Sequence, residues 1–192
     1  DERMGKRIIP FSREIYIERE DFRESANKKF KRLVLGKNVR LRYAYIVTCI
    51  EVIKDDNDEI IEIHCEYDPE TKSGMGSEKK AKGVIHWVSA KHAQSLEIRL
   101  YDRLFTKAIP DAKDSTEFTE HINPKSLEIL DNSVVEPSLQ QAKIGDRFQF
   151  ERQGYFCIDR DSTPEKLIVN RTVTLRDSWA KLEKEAQPNA TD

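Results

Sequence analysis

Cations alternate with apolar residues in the segment FKRLVLGKNVRLR, residues 30–42. It contains five Lys or Arg residues and no acidic residue, although the whole chain has a formal net charge of −2. At the strand period of two, Val39 and Leu41 share one face, and Arg40 and Arg42 share the other. The pattern favours a surface that binds a polyanion such as nucleic acid. A solvated edge strand protected by cations would give the same pattern.

A second candidate is the segment FQFERQGYF, residues 148–156. Phe148 and Phe150 are expected on one strand face, and Gln149 and Glu151 on the other. A Gln amide both donates and accepts, so it can read a base edge, and a carboxylate accepts from exocyclic amines. The alternative is an ordinary amphipathic strand whose polar face lies in water.

A third candidate is the segment NRTVTLRD, residues 170–177. Val173 and Leu175 are expected on one face. The other face carries Asn170, Thr172, Thr174 and Arg176. Small hydroxyl groups beside a guanidinium leave room for a flat ligand or a phosphate, but threonines on an exposed face are also ordinary in strands.

The elements that must position these residues are short strands. Strand patterns occur in REIYIERE, VRLRYAYIVTCIEVI, EIIEIHCEY, GVIHWVS, LEIRLYDRLF, INPKSLEIL, DRFQFERQGYFCID and KLIVNRTVTLRD. The cluster DDND, residues 55–58, predicts a hairpin turn. We expect residues 68–83 to form a hairpin tip and residues 106–118 to link two modules. Helical patterns are confined to short turns and to DSWAKLEKEA near the end, so the sequence predicts barrels or a sandwich.

The remaining sequence features argue against several classes of protein. No run approaches the ~18 apolar residues of a membrane span, and the first residues lack the apolar region of a signal peptide. Cys49, Cys65 and Cys157 are odd in number and far apart, which predicts reduced thiols in a cytoplasmic protein. No metal-binding histidine spacing, Walker loop or recognisable nucleophile occurs. We therefore expect no catalytic residue, no metal site and no cofactor in this chain.

Eight blocks, in order, resemble the C-terminal anticodon-binding region of bacterial glutaminyl-tRNA synthetases. They are PFSREIYIEREDF, ANKKFKRLVLGKNVRLRYAYIV, GVIHWVSAKHA, EIRLYDRLF, INPKSLEIL, EPSL, FQFERQGYFCID and NRTVTLRDSWAK. The resemblance implies an all-β fold of two small β-barrels with a few short helices, interleaved by the N-terminal strand. The expected ranges are 1–19 for that strand, which completes the second barrel, 20–106 for the first barrel, 107–180 for the second and 181–192 for a flexible tail.

The function implied by the resemblance is recognition of the anticodon stem-loop of tRNA-Gln, whose three anticodon bases are splayed into separate pockets. The intact enzyme would join glutamine to this tRNA with ATP. Neither a HIGH-like nor a KMSKS-like signature is present. We therefore expect an excised RNA-binding region, inactive alone, whose other partner is the enzyme's catalytic domain with its ATP and Mg. We also expect a monomer that does not contact membranes.

Matching positions carry expected roles in the first barrel. The resemblance assigns Arg40 and Arg42 to the first anticodon base and its neighbouring phosphates. It assigns Lys31 and Arg32 to the third base and the backbone. The family has a Gln in the middle-base pocket where this chain has Lys29, and a lysine can donate to a uracil oxygen but cannot accept.

The second barrel would read the middle base. The resemblance places Gln149 and Arg152 in the pocket of the middle uracil, with Glu151 nearby and Arg176 in support of the same region. A second departure is Tyr43, which stands where the resemblance implies an Asn. The tyrosine could stack on a base.

Three alternatives lead to different expectations. The equivalent region of a glutamyl-tRNA synthetase shares these barrels, but FQFERQGYFCID and NRTVTLRDSWAK favour the glutaminyl family. A barrel protein that binds ribosomal RNA would need only one barrel. A protein-interaction module would show weak salt dependence and no loss when Arg40 or Arg176 is changed.

Overall fold

Strands dominate the computed structural model, which describes residues 6–110 and 117–175. The helices in these ranges are single 3₁₀ turns at Arg19–Asp21, Pro69–Thr71, Phe118–His121 and Pro137–Gln141. The expected all-β class with a few short helices is confirmed. Within the described ranges, no helix has the length and apolarity needed to cross a bilayer.

The chain divides into two compact units between Ala93 and Gln94. The first unit contains β1 (Ile15–Tyr16), β2 (Phe22–Arg23), β3 (Leu33–Val34), β4 (Asn38–Leu41), β5 (Ile46–Lys54), β6 (Ile60–Asp68), β7 (Val84–Ile85) and β8 (Val88–Ser89). The second contains β9 (Gln94–Tyr101), β10 (Leu127–Val135), β11 (Arg147–Phe150), β12 (Gly154–Ile158) and β13 (Leu167–Val173).

This division differs from the expected boundary after residue 106. β9 was expected in the first module, but it lies between β10 and β13 in the sheet of the second unit. β9 follows β8 closely in the chain, but its backbone hydrogen bonds are made to β10 on one edge and to β13 on the other. These bonds make it part of the second unit. The strand β1 pairs with β8 inside the first unit, whereas we had expected the N-terminal strand to complete the second module.

The main sheet of the first unit has the strand order β6-β5-β4-β7. β4, β5 and β6 are antiparallel, and β7 joins β4 in parallel. Residues 69–83 therefore cross from one edge of the sheet to the other, so the expected hairpin tip is wrong. Small sheets form between β1 and β8 and between β2 and β3.

The expected closed barrels are also not observed, because none of the sheets formed by the described strands closes on itself. In the first unit, β6 and β7 are the outer strands of the sheet and are not paired with each other. β7 has two residues and pairs with β4 along one edge, and no described strand pairs with its other edge.

The strand-rich run VRLRYAYIVTCIEVI forms two strands with a tight corner, not one strand. Leu41 N–H donates to the Tyr45 carbonyl over 2.8 Å, and Ala44 N–H donates to the Leu41 carbonyl over 2.9 Å. Tyr43 sits in this corner with a φ of 59°. The predicted alternation in β4 is confirmed, because Val39 and Leu41 are fully buried. They join a core with Phe22, Leu33, Ala44, Val47, Cys49, Ile85 and Trp87.

The predicted turn at residues 55–58 joins β5 to β6 as a hairpin. The Asp55 carboxylate accepts hydrogen bonds from the backbone N–H groups of Asn57 and Glu59, both over 2.9 Å. The bond from the Glu59 backbone is the main reason that the pKa of Asp55 is lowered.

The second unit is one five-stranded sheet with the order β10-β9-β13-β12-β11. β9 and β13 are parallel, and the other neighbours are antiparallel. Its core contains Leu96, Val135, Leu139, Phe156, Ile158 and Val169. Because β9 pairs with β10, the segment expected to link two modules instead connects two strands of one sheet.

Candidate nucleic-acid interface

Arg40 extends from β4 over an open cleft of about 250 Å³. The cleft is lined by Arg40, Thr71, Lys72, Ser73, Gly74, Gly76 and Ser77. The guanidinium Nη1 donates to the Thr71 carbonyl over 2.8 Å and lies 3.4 Å from the Ala44 carbonyl and from Ser73 Oγ. Within residues 6–110 and 117–175 the other guanidinium nitrogens of Arg40 have no partner. The side chain is held in place while donors remain for an anion.

Arg42 and Tyr43 lie at the corner that follows β4. The Arg42 backbone is fixed on both sides, because its N–H donates to the Ile85 carbonyl and its carbonyl accepts from Trp87 Nε1, each over 2.9 Å. Its guanidinium carbon lies 5.2 Å from the centre of the Tyr43 ring. The aromatic ring itself is 62% exposed.

The backbone of Tyr43 gives a physical reading of its departure from the family. A positive φ is uncommon for residues other than Gly and is best tolerated by Asn, Asp and His. The Asn that the resemblance implies at this position would suit this conformation better than a tyrosine. The tyrosine instead presents an exposed aromatic ring beside Arg42.

Arg32 points inward, unlike the neighbouring lysines. Its Nε lies 3.0 Å from Oδ1 of Asp21, a fully buried carboxylate. Its Nη1 donates to the Lys31 carbonyl over 3.0 Å. Lys29 and Lys31 are exposed. The role of Arg32 therefore includes neutralising a buried charge, in addition to any contact with RNA.

Gly83 joins the two basic parts of the first unit. Its carbonyl accepts from the Arg40 backbone N–H over 3.0 Å. A Cβ added at Gly83 would lie 2.0 Å from the Lys31 carbonyl oxygen. The residue before β7 thus packs directly on the loop that carries Lys29 and Lys31, and it bonds to the strand that carries Arg40. The backbones that carry Lys31 and Arg40 therefore meet at Gly83.

The sequence analysis missed the cations of the segment between β6 and β7. Lys72, Lys80 and Lys82 are exposed, and Lys72 lines the cleft beside Arg40. Lys79 instead pairs with Asp68, which raises the pKa of the lysine. The sequence shows these cations as four lysines, namely Lys72 and the three lysines of the segment SGMGSEKKAKG that follows it. These lysines fall in the segment that was predicted to be a hairpin tip, because the sequence pattern does not show that the chain crosses to β7.

Gln149 is exposed on β11, and Phe148 and Phe150 on its other face pack against the core, as predicted. The residue directly opposite Gln149 on β12 is Tyr155, which is 45% exposed. The Tyr155 carbonyl accepts from Thr172 Oγ1 over 3.1 Å. The second unit therefore places an amide, an aromatic ring and a hydroxyl-bearing residue side by side. Tyr155 was not among the predicted site residues, because the register of β11 against β12 is not visible in the sequence.

Glu151 and Arg152 lie in the turn between β11 and β12. Both are partly buried, and Arg152 has a φ of 66°. Gly154, which follows the turn, has a φ of 147°, and an added Cβ would lie 2.6 Å from the Val173 carbonyl. Only glycine suits this contact and this φ. The turn is thereby pressed against the end of β13.

The end of β13 departs from the expected alternation. Val169 is fully buried, but Val173 is 58% exposed. The register between β12 and β13 shifts here, because Tyr155 pairs with Val173 while Phe156 pairs with Arg171. This irregularity leaves Thr172 without a partner directly opposite in the ladder. Arg176, the remaining predicted site residue, lies outside the described residues.

Family models match parts of both units. A family model described as "tRNA synthetases class I (E and Q), anti-codon binding domain" matches residues 84–159, and a second model of that description matches residues 1–68. Together they cover most of both units.

Curated relatives named "Glutamine--tRNA ligase" match almost the whole chain. The relative from Rhodopirellula baltica is 55% identical over 185 residues, which is 95% of this chain and 31% of the relative. The relative from Photobacterium profundum is 59% identical over 181 residues, which is 93% of this chain and 32% of the relative. The relative from Vibrio parahaemolyticus is 56% identical over 182 residues, 94% of this chain and 32% of the relative.

This chain spans about a third of the length of these relatives. The resemblance expected from the eight sequence blocks is confirmed over both units. The chain belongs to the anticodon-binding domain family of the class I tRNA synthetases for glutamate and glutamine.

Proposed function

We propose that this chain recognises the anticodon stem-loop of a tRNA that accepts glutamine. In the complete protein this recognition would serve the ATP-dependent joining of glutamine to that tRNA, with the catalytic domain as the second partner. Support comes from the family, from the printed names of the relatives and from the geometry of the two surfaces.

The observation that carries the proposal is the packing of Gly83 between Lys31 and Arg40. This packing supports a single basic surface in a chain whose formal net charge is −2. Concentrated cations raise the local potential, so binding of a polyanion depends on this surface and not on the net charge.

Each unit has its own part in binding the RNA. In the first unit, Lys31, Arg40 and Arg42 contact phosphates and the first and third anticodon bases, and Lys29 adds an exposed ammonium group that donates to the RNA. Arg32 anchors the segment around Lys31 through its ion pair with Asp21, and the exposed part of its side chain contacts the third base. Phosphate contacts position the RNA but carry little sequence information.

In the second unit, Gln149 reads the middle base with its amide, and Tyr155 offers a ring on which that base stacks. Arg152, Glu151 and Arg176 complete the pocket. Each base of a single-stranded loop can be read on its Watson–Crick edge once it is unstacked, and this surface has a donor, an acceptor and an aromatic face for that purpose.

A titration of the chain with labelled stem-loops tests the proposal. One loop carries the anticodon CUG, and its control changes only the middle base. We expect tighter binding to CUG, with an affinity that falls as salt rises. Gln149→Ala should cost about 1–3 kcal/mol for CUG and remove the preference for the middle uracil. Gln153→Ala is the matched control, because Gln153 is an exposed glutamine in the turn that follows β11.

Two results would contradict the proposal. Equal affinity for both loops would leave a basic surface that binds RNA without reading it. Binding that does not respond to salt would remove the role of the cations.

A further inference from the structure

Cys49 and Cys65 lie directly opposite each other on the antiparallel strands β5 and β6. Cys49 N–H donates to the Lys37 carbonyl over 3.2 Å, and its carbonyl accepts from the Gly36 N–H over 2.9 Å. Both polar backbone groups of Cys49 therefore point away from β6, so the pair with Cys65 is of the non-hydrogen-bonded kind. In such pairs the Cα atoms are about 4.5 Å apart and the side chains approach closely. Disulfides span Cα separations of about 4.4–6.8 Å.

The surroundings give the two thiols different roles. Cys65 is exposed, whereas Cys49 is buried in the core of the first unit. The Cys49 thiol donates to the Glu51 carbonyl over 3.7 Å. Withdrawal of the Cys65 sulfur from solvent is the main reason that the pKa of Cys65 is raised to about 12, and burial also raises the pKa of Cys49. Because Cys65 is the exposed residue of the pair, a reagent reaches it before the buried Cys49, which lies opposite as the second thiol. Its raised pKa keeps Cys65 mostly protonated near neutral pH, so the reaction is slow there.

We propose that Cys49 and Cys65 form a modification site, a dithiol that a small disulfide such as oxidised glutathione converts into a cross-strand disulfide. The Cys65 thiolate attacks one sulfur of the small disulfide, and the bond between its two sulfurs breaks. One thiolate leaves and takes up the proton lost by Cys65. Cys49 then attacks Cys65 Sγ, and the bond from Cys65 to the small thiol breaks. The second small thiolate leaves with the proton of Cys49, so two cysteines are oxidised and one disulfide is reduced.

The consequence of closure is local to the first unit. The disulfide would tie β5 to β6 across the turn at residues 55–58, and such a loop loses conformational freedom in the unfolded chain. Cys49 also holds Gly36 and Lys37, which belong to the basic segment of residues 30–42. The oxidised chain should therefore unfold at a higher temperature than the reduced chain.

The test uses the full chain in glutathione buffers of increasing oxidised fraction. Free thiols are blocked with iodoacetamide, and the chain is digested with trypsin, which cuts after Lys54 between the two cysteines. Mass spectrometry should find the Cys49 and Cys65 peptides joined and lighter by two hydrogen atoms. Cys157 serves as the internal control, because the residues opposite it are Arg147 and Asn170. It should remain alkylated or carry glutathione.

Rate and variants separate the steps. Because the thiolate is the nucleophile, closure should accelerate about tenfold for each pH unit above neutrality while the attacking thiol is mostly protonated. Cys49→Ser should stop at a mixed disulfide on Cys65. Cys65→Ser, at an exposed position, should leave Cys49 unmodified in the folded chain.

The proposal is overturned by any of three results with the wild-type chain. These are a stable glutathione adduct on Cys65 with Cys49 still alkylated, a disulfide that involves Cys157 as often as the proposed pair, and no oxidation of the folded chain. Oxidation of the chain unfolded in denaturant should give mixed pairings among the three cysteines. Their proportions are the reference for pairing that is not directed by the fold.

Discussion

The Nε atom of Arg32 lies 3.0 Å from Oδ1 of Asp21, and the Asp21 side chain has no exposed surface. The Arg32 side chain is 31% exposed, so one end of it reaches solvent while its guanidinium neutralises a buried charge. The preceding residue in the chain, Lys31, has an exposed side chain. Neighbouring cations of the same basic segment therefore serve different purposes.

Replacing each of these two cations should separate stability from binding. Arg32→Met should lower the free energy of unfolding by about 3 kcal/mol, the low end for breaking a buried pair because Arg32 is partly exposed. Lys31→Met should leave stability within about 0.5 kcal/mol of the parent, as is usual at the surface. Chemical denaturation measures both. Similar stability losses in the two variants would show that Asp21 does not depend on Arg32.

Lys31 should instead contribute to the salt dependence of RNA binding. Losing one phosphate contact should reduce the slope of log affinity against log salt by about 0.7 for a single strand. Stem-loop titrations at several salt concentrations measure this slope. Lys91→Met provides the control, because Lys91 is exposed in the same unit and outside the basic surface. A slope unchanged by Lys31→Met would remove Lys31 from the interface.

The contact at Gly83 predicts that a single methyl group disturbs the basic surface. In Gly83→Ala the new Cβ would meet the Lys31 carbonyl, so the loop or β7 must shift. We expect a loss of about 1–3 kcal/mol in unfolding free energy, as for other overpacked sites. RNA affinity should fall as well, because the shift separates Lys31 from Arg40.

The neighbouring residue supplies a control for the Gly83 prediction. Lys82→Ala removes an exposed side chain next to Gly83 without adding volume at the contact. Its unfolding free energy, measured in urea, should match the parent. If Gly83→Ala were as stable as the parent and bound RNA equally well, the loop and β7 would not need this close approach.

Period-two alternation predicted local features of the fold correctly. It placed Val39 and Leu41 in the core and Gln149 on the opposite face from Phe148 and Phe150. The residue types of the cluster DDND likewise predicted the turn at residues 55–58. These features depend on neighbours in the chain, and the physical rule that governs them is local. The resemblance of eight ordered blocks carried the functional class, because no single motif was specific.

Long-range pairing was not predictable from the same patterns. Nothing in the sequence around β7 shows that it joins β4 in parallel, so the approach of Gly83 to Lys31 was not foreseen. The pairing of β9 with β10 and β13 moved the boundary between units for the same reason. The charge pattern likewise could not distinguish Arg32, which pairs with a buried carboxylate, from exposed cations.

The position of Tyr155 opposite Gln149 predicts a stacking role that a substitution can isolate. Tyr155→Leu should weaken binding of the CUG stem-loop by about 1–3 kcal/mol, since base–aromatic stacking contributes that much by substitution. Tyr155→Phe keeps the ring and should bind within about 0.5 kcal/mol of the parent if the hydroxyl is not used. Equal losses in both variants would assign the effect to the hydroxyl group, and no loss in either would exclude stacking at this residue.

His64 should make the stability of the first unit depend on pH. Its ring nitrogens lie 2.7 Å from Glu62 Oε1 and 2.9 Å from Glu51 Oε2, and these carboxylates, Glu62 foremost, raise the pKa of His64. A raised folded-state pKa contributes stability that is fully present below the unfolded pKa, about 6.5, and is lost as pH rises through the folded pKa. His64→Gln should therefore lower the urea midpoint in mildly acidic solution and approach the parent in alkaline solution. A deficit that is the same at every pH would show that the ring acts through packing and not through its charge.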